Sequence, residues 1–252
     1  MIQRRVVYAL LMREIITRYG RHNIGFLWLF VEPMVFTLGV TALWTATKGA
    51  HGSDLPIVGF AVTGYSSVLL WRNVASRCAK AIEANGALLF HRNVKVIDIM
   101  LARIILEIAG ATISFIVLSS IFIAVGLMAL PADIFTMMIA WFLTAWFATG
   151  LALNVGVISE LSEVFDRLWH AFTYILFPLS GAAFLVDWLP EMFRNVVLYV
   201  PMVHGTEMLR HGYYGDLVNT YENPAYLIIF CLVLTATGLF GIKYMSKRIT
   251  PE

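Results

Sequence analysis

Six long apolar stretches constrain this chain more than any other feature of its sequence. A helix needs about 20 apolar residues to cross the hydrocarbon core of a bilayer. The stretches that meet this length are Ile24–Thr47, Pro56–Ala75, Ile104–Leu130, Ile134–Ser159, Leu168–Val186 and Ala225–Ile242. Because 60% of the 252 residues are hydrophobic and only 13% are charged, a single soluble core cannot bury them. The sequence therefore predicts an all-α membrane protein with six transmembrane helices, forming one domain over residues 1–252.

The basic residues between these spans predict the orientation of the chain. If the N-terminus lies inside, the cytoplasmic segments hold all of the 18 lysines and arginines except Lys48, Arg194 and Arg210. Cytoplasmic loops of membrane proteins carry an excess of lysine and arginine. Both termini are therefore expected in the cytoplasm.

Residues 3–22, before the first span, have the pattern of an amphipathic helix. Apolar side chains recur at helical spacing at Tyr8, Leu11, Met12, Ile15 and Tyr19, and the other side carries Arg13, Thr17, Arg18 and Arg21. This pattern predicts an interfacial helix whose arginines face anionic membrane lipid or a cytoplasmic partner. A plain anchor on the membrane surface explains it equally well.

The segment 187–223, between the fifth and sixth spans, contains an apolar stretch that is too short to cross. Met192–Val203 has only about 12 residues and is bracketed by Pro190 and Pro201. Short apolar helices broken by proline are tolerated at membrane depth where protein or a water-filled cavity satisfies the backbone. We expect a re-entrant helical hairpin in the outer leaflet.

No catalytic or metal site is expected on this chain. The strings Gly20–Gly25 and Gly59–Gly64 have phosphate-loop glycine spacing but lack the Lys and Ser/Thr that must follow. His211 and Asp216 have a spacing that arises easily by chance, and the six histidines show no metal-ligand spacing. The sequence favours a protein that is not an enzyme, holds no cofactor and binds no nucleic acid.

Ionisable residues in or near the spans are candidates for a polar pathway or gate, because they are costly in lipid. Glu32 lies inside the first span, directly before Pro33, which kinks the helix. Arg103 and Glu107 are one helical turn apart and are expected to pair with each other. A structural ion pair within the bundle is an equally good interpretation.

Four tryptophans are candidates to line a conduit, namely Trp28, Trp141, Trp146 and Trp169. Packing in the core or against lipid explains each of them better.

Three segments carry a resemblance to a known family, the ABC-2 type permeases that export polysaccharides. Residues 18–33, RYGRHNIGFLWLFVEP, resemble the start of these permeases. Residues 85–110, NGALLFHRNVKVIDIMLARIILEIAG, resemble their first cytoplasmic loop and third span. Residues 201–216, PMVHGTEMLRHGYYGD, resemble the outer loop of the capsule-exporting branch. The chain is thus similar, over nearly its whole length, to the permease subunit of a Gram-negative group 2 capsule exporter.

This resemblance implies a multi-pass protein of the inner membrane that works as a homodimer. Lipid-linked capsular polysaccharide would leave the cytoplasm through it, and a separate cytoplasmic ABC ATPase subunit would bind ATP and Mg. A periplasmic co-polymerase-type adaptor and an outer-membrane exporter would contact the last outer loop. A permease for a small amphiphile or lipid would share the fold and is the alternative. An ion-coupled secondary transporter is disfavoured because the chain shows no repeated halves.

The resemblance also assigns roles to particular residues. Candidates for the conduit, from the first and fifth spans, are Trp28, Glu32, Trp169, Tyr174 and Phe177. The coupling loop to the ATPase, residues 83–95, would use Glu83, Leu88, Leu89, Phe90, His91, Arg92 and Lys95. The polymer end would enter beside a basic cluster formed by Arg4, Arg5, Arg13, Arg18 and Arg21.

If Glu32 belongs to a polar pathway, Glu32→Gln will lower polymer export severalfold, because the amide has nearly the same size but no charge. Export is measured as surface polysaccharide at matched expression, with Glu252→Gln as a control that removes one charge outside all predicted spans. Normal export by Glu32→Gln would remove this residue from the pathway.

Overall fold

The fold is built from helices and turns, as the sequence predicts. A computed structural model describes residues 2–19, 31, 34–35, 37–43, 55–91 and 93–249, and this part of the chain contains no strand. The helices are α1 (Ile2–Tyr19), α2 (Ile57–Cys78), α3 (Val96–Ala124), α4 (Ile134–Leu161), α5 (Glu163–Leu179), α6 (Glu191–Val197), α7 (Pro201–Tyr214) and α8 (Pro224–Ile249). Short 3-10 segments cover Glu83–Phe90, Val186–Trp188 and Gly215–Leu217.

Three helices in the described residues are long and apolar enough to cross a membrane. They are Val96–Ala124, Ile134–Leu161 and Pro224–Lys247, and they correspond to the third, fourth and sixth predicted spans. Most of the first predicted span lies outside the described residues. Helix α2 is not apolar enough, and α5, with 17 residues, is too short to belong to this group. The count of six spans stays a prediction.

Some helices begin or end at different residues from the predicted spans, because side chains cap the helix backbone at those points. Helix α3 begins at Val96 rather than Ile104, because the Asp98 carboxylate accepts a hydrogen bond from the backbone N–H of Lys95 at 2.9 Å. Helix α5 begins at Glu163 behind the Ser162 cap and ends at Leu179, just after Pro178. It therefore stops seven residues before Val186, the expected end of the fifth span.

Helix α4 is the centre of the bundle and contacts α2, α7 and α8. Small residues let the helix backbones approach closely, as is common between membrane helices. Gly150 of α4 lies against Leu234 of α8, and Gly238 of α8 lies against Leu153 of α4. Cys78 and Cys231 are both buried and form no disulfide with each other.

Helices α6 and α7 differ sharply in burial. Helix α6 exposes Met192, Phe193 and Val196, whereas every residue of α7 from Met202 to Arg210 is buried. The chain turns between them over residues 198–200, directly before Pro201. The re-entrant hairpin expected in this segment stays a prediction.

Helix α1 packs along α3 through a face that the sequence pattern did not identify. Leu10 contacts the hydrophobic core, and the side chain of Gln3 donates a hydrogen bond to the Asp98 carboxylate. Tyr8 and Met12 are exposed, although they were expected on the same face as the half-buried Leu11. Polar contacts with α3 therefore fix this helix in place. Its interfacial position stays a prediction.

Gly212→Ala should destabilise the packing of α7 on α4. A methyl group at Gly212 would lie 2.6 Å from the backbone nitrogen of Met137, so one backbone must shift. We expect a loss of about 1–3 kcal/mol in unfolding free energy, typical of overpacking. The measurement is thermal unfolding in detergent, with Gly39→Ala as the control because nothing lies within 4 Å of an added methyl there. Equal stability of the two variants would contradict this packing.

Candidate functional site

The coupling segment, residues 83–95, is anchored at its base by the end of α4. One carboxylate oxygen of Glu160 accepts hydrogen bonds from the backbone N–H groups of Ile82 (2.8 Å) and Glu83 (2.7 Å). The hydroxyl of Ser159 accepts another from the backbone N–H of Lys80 at 3.1 Å, where the chain has a positive φ of 50°. A negative charge at the start of the 3-10 segment takes N–H groups that have no partner within it.

A second anchor comes from α1. Arg13 Nη1 donates to the Oδ1 atom of the buried Asn85 at 3.0 Å, and Asn85 Nδ2 donates to the carbonyl of Ala81 at 2.9 Å. Asn85 is also the point where the 3-10 segment is kinked, with φ −121° and ψ 15°. Arg13 was expected at the polymer entrance, and the structure gives it a contact that holds the coupling segment.

The structure describes the side chains of two of the other residues in the predicted basic cluster. Arg4 and Arg5 are exposed on α1. The side chain of Arg18 and all of Arg21 lie outside the described residues. A polar groove of about 260 Å³ lies between α1 and the coupling segment and is lined by Arg13, Glu14, Thr17, Ala84, Asn85 and Arg103.

The tip of the coupling segment presents an apolar surface. Phe90 is 92% exposed, whereas Leu88 and Leu89 are half-buried and Leu89 packs against the core. His91 and Lys95 are exposed, and Arg92 lies outside the described residues. An exposed aromatic side chain on an anchored segment is a feature of surfaces that bind protein partners.

Arg103 and Glu107 do not pair as the sequence predicted. The Nε atom of Arg103 lies 3.1 Å from Oε1 of Glu14, and its Nη1 donates to the carbonyl of Arg77 at 2.9 Å. Glu107 lies 3.7 Å from the Nε atom of Arg77 instead. Tertiary contacts with α1 and α2 therefore override the i, i+4 spacing on α3. The arrangement is an ion network at the ends of three helices.

The predicted conduit residues have different surroundings. Trp169 is buried, and its Nε1 donates to Ser76 Oγ at 3.2 Å, which differs from the expected place on a conduit wall. Tyr174 is exposed, with Arg72 stacked 4.6 Å from its ring centre. Phe177 is half-buried, and its ring packs edge to face with that of Tyr65, with the two ring centres 5.9 Å apart. Trp28 and Glu32 lie outside the described residues.

The opposite end of the bundle contains a buried arginine, Arg210, which the sequence predicts in an outer loop. Arg210 is fully buried, and its guanidinium donates to the carbonyls of Gly181 (2.6 Å), Ala182 (2.5 Å) and Phe184 (2.6 Å). It also stacks on the ring of Phe60, 3.6 Å from its centre. These bonds satisfy the carbonyls that follow the end of α5. The Glu-x-x-Arg spacing in α7 was the only local signal for this site.

Two further residues connect α7 to the chain around it. Glu207, one turn from Arg210, accepts hydrogen bonds from the backbone N–H groups of Val186 and Tyr221, both at 3.3 Å. Burial raises the pKa of the Glu207 carboxyl, although the positive charge of Arg210 acts in the opposite direction. His204 accepts from the N–H of Asn223 at 3.0 Å, so its other ring nitrogen donates to the carbonyl of Leu198 at 2.9 Å. The outer segment is therefore a built structure.

The comparisons with known proteins agree with each other. The profile of the ABC-2 type transporter family matches residues 5–214. The capsule polysaccharide export inner-membrane protein CtrC of Neisseria meningitidis serogroup B is 51% identical, covering all of this chain and 95% of the relative. The corresponding protein BexB of Haemophilus influenzae is 45% identical with the same coverage. The polysialic acid transport protein KpsM of Escherichia coli is 26% identical over 94% of this chain and 92% of its own length.

Glu160→Ala should loosen the coupling segment without unfolding the bundle. The N–H groups of Ile82 and Glu83 lose a charged acceptor, and such bonds contribute about 1.5–3 kcal/mol. We expect hydrogen exchange over residues 82–90 to become faster by about tenfold or more. The matched control is Glu163→Ala, which removes an exposed carboxylate paired only on the surface with Arg167. Unchanged exchange in Glu160→Ala would show that Glu160 does not anchor the segment.

Proposed function

The chain belongs to the ABC-2 type transporter family, and on that premise we propose that it forms half of a homodimeric channel driven by a separate ATPase. It is an inner-membrane permease of capsule polysaccharide export, as its most similar relatives are. We propose the finer assignments from the geometry: the ATPase contact, the path of the polymer and the partner contacts. The substrate in this proposal is a lipid-linked capsular polysaccharide, and ATP and Mg bind to the partner subunit.

The exposed Phe90 on its anchored segment is the observation that carries this proposal. A flexible loop would absorb the motion of a partner, whereas a segment fixed by Glu160 and Asn85 transmits it. We assign Phe90 and Leu88 as apolar contacts with the ATPase. The polar contacts in this proposal are Glu83, His91, Arg92 and Lys95.

The anchors define which helices would move. The coupling segment comes shortly after α2, and Glu160 bonds its base to the end of α4. Lys80, in the turn just before the segment, connects this turn to the start of α5, because its ammonium lies 3.9 Å from the Asp166 carboxylate. A displacement of this segment on nucleotide closure would therefore act on three helices together. Rigid movement of packed helices is a common form of switching.

The outer face of α5 suits a channel formed by two copies. Exposed apolar side chains follow one face of the helix at helical spacing, and they are Val164, Leu168, Phe172, Ile175 and Leu179. The opposite face, with Trp169 and Thr173, is buried against the rest of the bundle. We propose that the exposed face of α5 meets the second copy, with Tyr174 and Phe177 beside the polymer and Trp28 and Glu32 from the first span.

The two ends of the path would contact different partners. Arg4 and Arg5 are exposed on α1 and suit the anionic end of an entering polymer. At the outer end, the exposed side chains of α6 offer an apolar surface for the periplasmic adaptor, which would lead to the outer-membrane exporter. Export of a small amphiphile is the alternative, and it would need a lateral exit instead of a continuous conduit.

Phe90→Ala should weaken association with the ATPase and leave the fold intact. The ring makes little contact within its own chain, so the free energy of unfolding should stay within about 1 kcal/mol of that of the original chain. Loss of a central aromatic contact typically costs about 2 kcal/mol or more in binding, which lowers the affinity about thirtyfold. The measurements are co-purification with the ATPase and polymer accumulation inside cells.

Two control variants make this experiment decisive. Leu89→Ala removes a half-buried side chain that packs on the core, so it should lower the melting temperature, unlike Phe90→Ala. Phe135→Ala removes a ring of 69% exposure at the start of α4, the end opposite to Glu160, and should leave the ATPase bound. Full ATPase binding by Phe90→Ala would refute the assigned contact. Export of small amphiphiles without polymer would favour the alternative function.

A further inference from the structure

A groove that includes the last two residues of the coupling segment, Val94 and Lys95, lies where α3 begins and α8 ends. Its volume is about 490 Å³, and it is lined by Val94, Lys95, Val96, Ile97, Leu239, Ile242, Lys243 and Ser246. The charge bias along the chain assigns this end of the bundle to the cytoplasm. Both helices are among those that are long and apolar enough to cross the membrane. The groove therefore lies at the height where spans leave the hydrocarbon core.

The lining divides into a basic polar rim and an apolar wall. Lys95 and Lys243 are exposed, and no carboxylate in the described part of the chain lies within ion-pair distance of either ammonium. The nearby acid, Asp98, is fully buried, and one of its oxygens accepts from the Lys95 backbone N–H and the Gln3 side chain. The charges at the rim are thus positive.

The apolar wall is accessible from the side of the bundle. Leu239 is 47% exposed and lies one turn before Lys243 on α8, and Ile97 lies two residues after Lys95 on α3. Lysines at the ends of spans extend their ammonium groups toward the headgroups while their stems follow apolar surface. Basic pockets between transmembrane helices on the cytoplasmic side bind anionic lipid headgroups.

We propose that this groove binds an anionic phospholipid of the cytoplasmic leaflet. Its phosphate lies between the ammonium groups of Lys95 and Lys243. Its acyl chain follows Ile97 and Leu239. The two lysines come from helices that are distant in sequence, so the lipid joins the start of α3 to the end of α8. The proposal requires a membrane but does not depend on the exported substrate.

Removal of the two lysines should remove the selectivity for anionic lipid. The full chain is reconstituted in vesicles of phosphatidylethanolamine with phosphatidylglycerol, extracted gently, and analysed for bound lipid by native mass spectrometry. Each lysine near an anionic surface contributes about 1 kcal/mol, so Lys95→Gln and Lys243→Gln should each lower phosphatidylglycerol retention about fivefold, and together about 25-fold. Leu239→Trp keeps both charges but fills the apolar wall, and it should also lower retention.

The matched control is the double variant Lys247→Gln with Arg167→Gln. It removes two exposed cytoplasmic charges, neither of which lines the groove, and should retain phosphatidylglycerol like the original chain. Retention by Lys95→Gln with Lys243→Gln equal to that of the original chain would overturn the proposal. So would equal loss in the control, equal retention of phosphatidylethanolamine, or displacement of phosphatidylglycerol by the exported glycolipid. ATPase binding is measured in parallel, and its loss alone leaves the lipid result unaffected.

Discussion

Backbone groups that helices leave open must find partners inside the protein, because lipid offers none. Arg210 meets this requirement at one end of the bundle. Its guanidinium takes the carbonyls of Gly181, Ala182 and Phe184, where the chain leaves α5. An unsatisfied buried carbonyl costs about 1–3 kcal/mol, so α5 could not end inside the protein without such a donor. The burial of α7 follows, since only a buried helix can bring the arginine there.

Glu160 meets the same requirement at the other end, with the opposite charge. Its carboxylate accepts hydrogen bonds from two backbone N–H groups at the start of the 3-10 segment, which a positively charged side chain could not do because it has no acceptor atom. Helix α4 carries this acceptor at its end, and its first residues are fixed by α7, whose Gly212 carbonyl accepts from the N–H of Asp133 at 2.8 Å. One central helix therefore connects the outer segment with the coupling segment. Such a connection is the physical basis on which a displacement at one end of the bundle would be transmitted to the other.

Three of the six predicted spans correspond to helices that are long and apolar enough to cross a membrane, whereas the side-chain contacts between helices were predicted poorly. A helix forms its backbone hydrogen bonds within its own segment, so about 20 apolar residues in a row are sufficient to indicate a span. The pairing of Arg103 with Glu107 failed because Glu14 and Arg77 come from other helices and offer better placed charges. Which charged residues pair depends on how the helices pack, and this cannot be read from the spacing of residues along one helix.

By itself, the sequence determined the all-helical class, the apolar character of the long helices and the uneven distribution of basic residues along the chain. Each of these follows from local composition and from the cost of exposing polar groups to lipid. Only the tertiary structure decided that Arg13 would hold Asn85, that Trp169 would be buried, and that Arg210 would bond to carbonyls 26 to 29 residues away. Those outcomes depend on distances between distant segments, which exist only after the helices have packed.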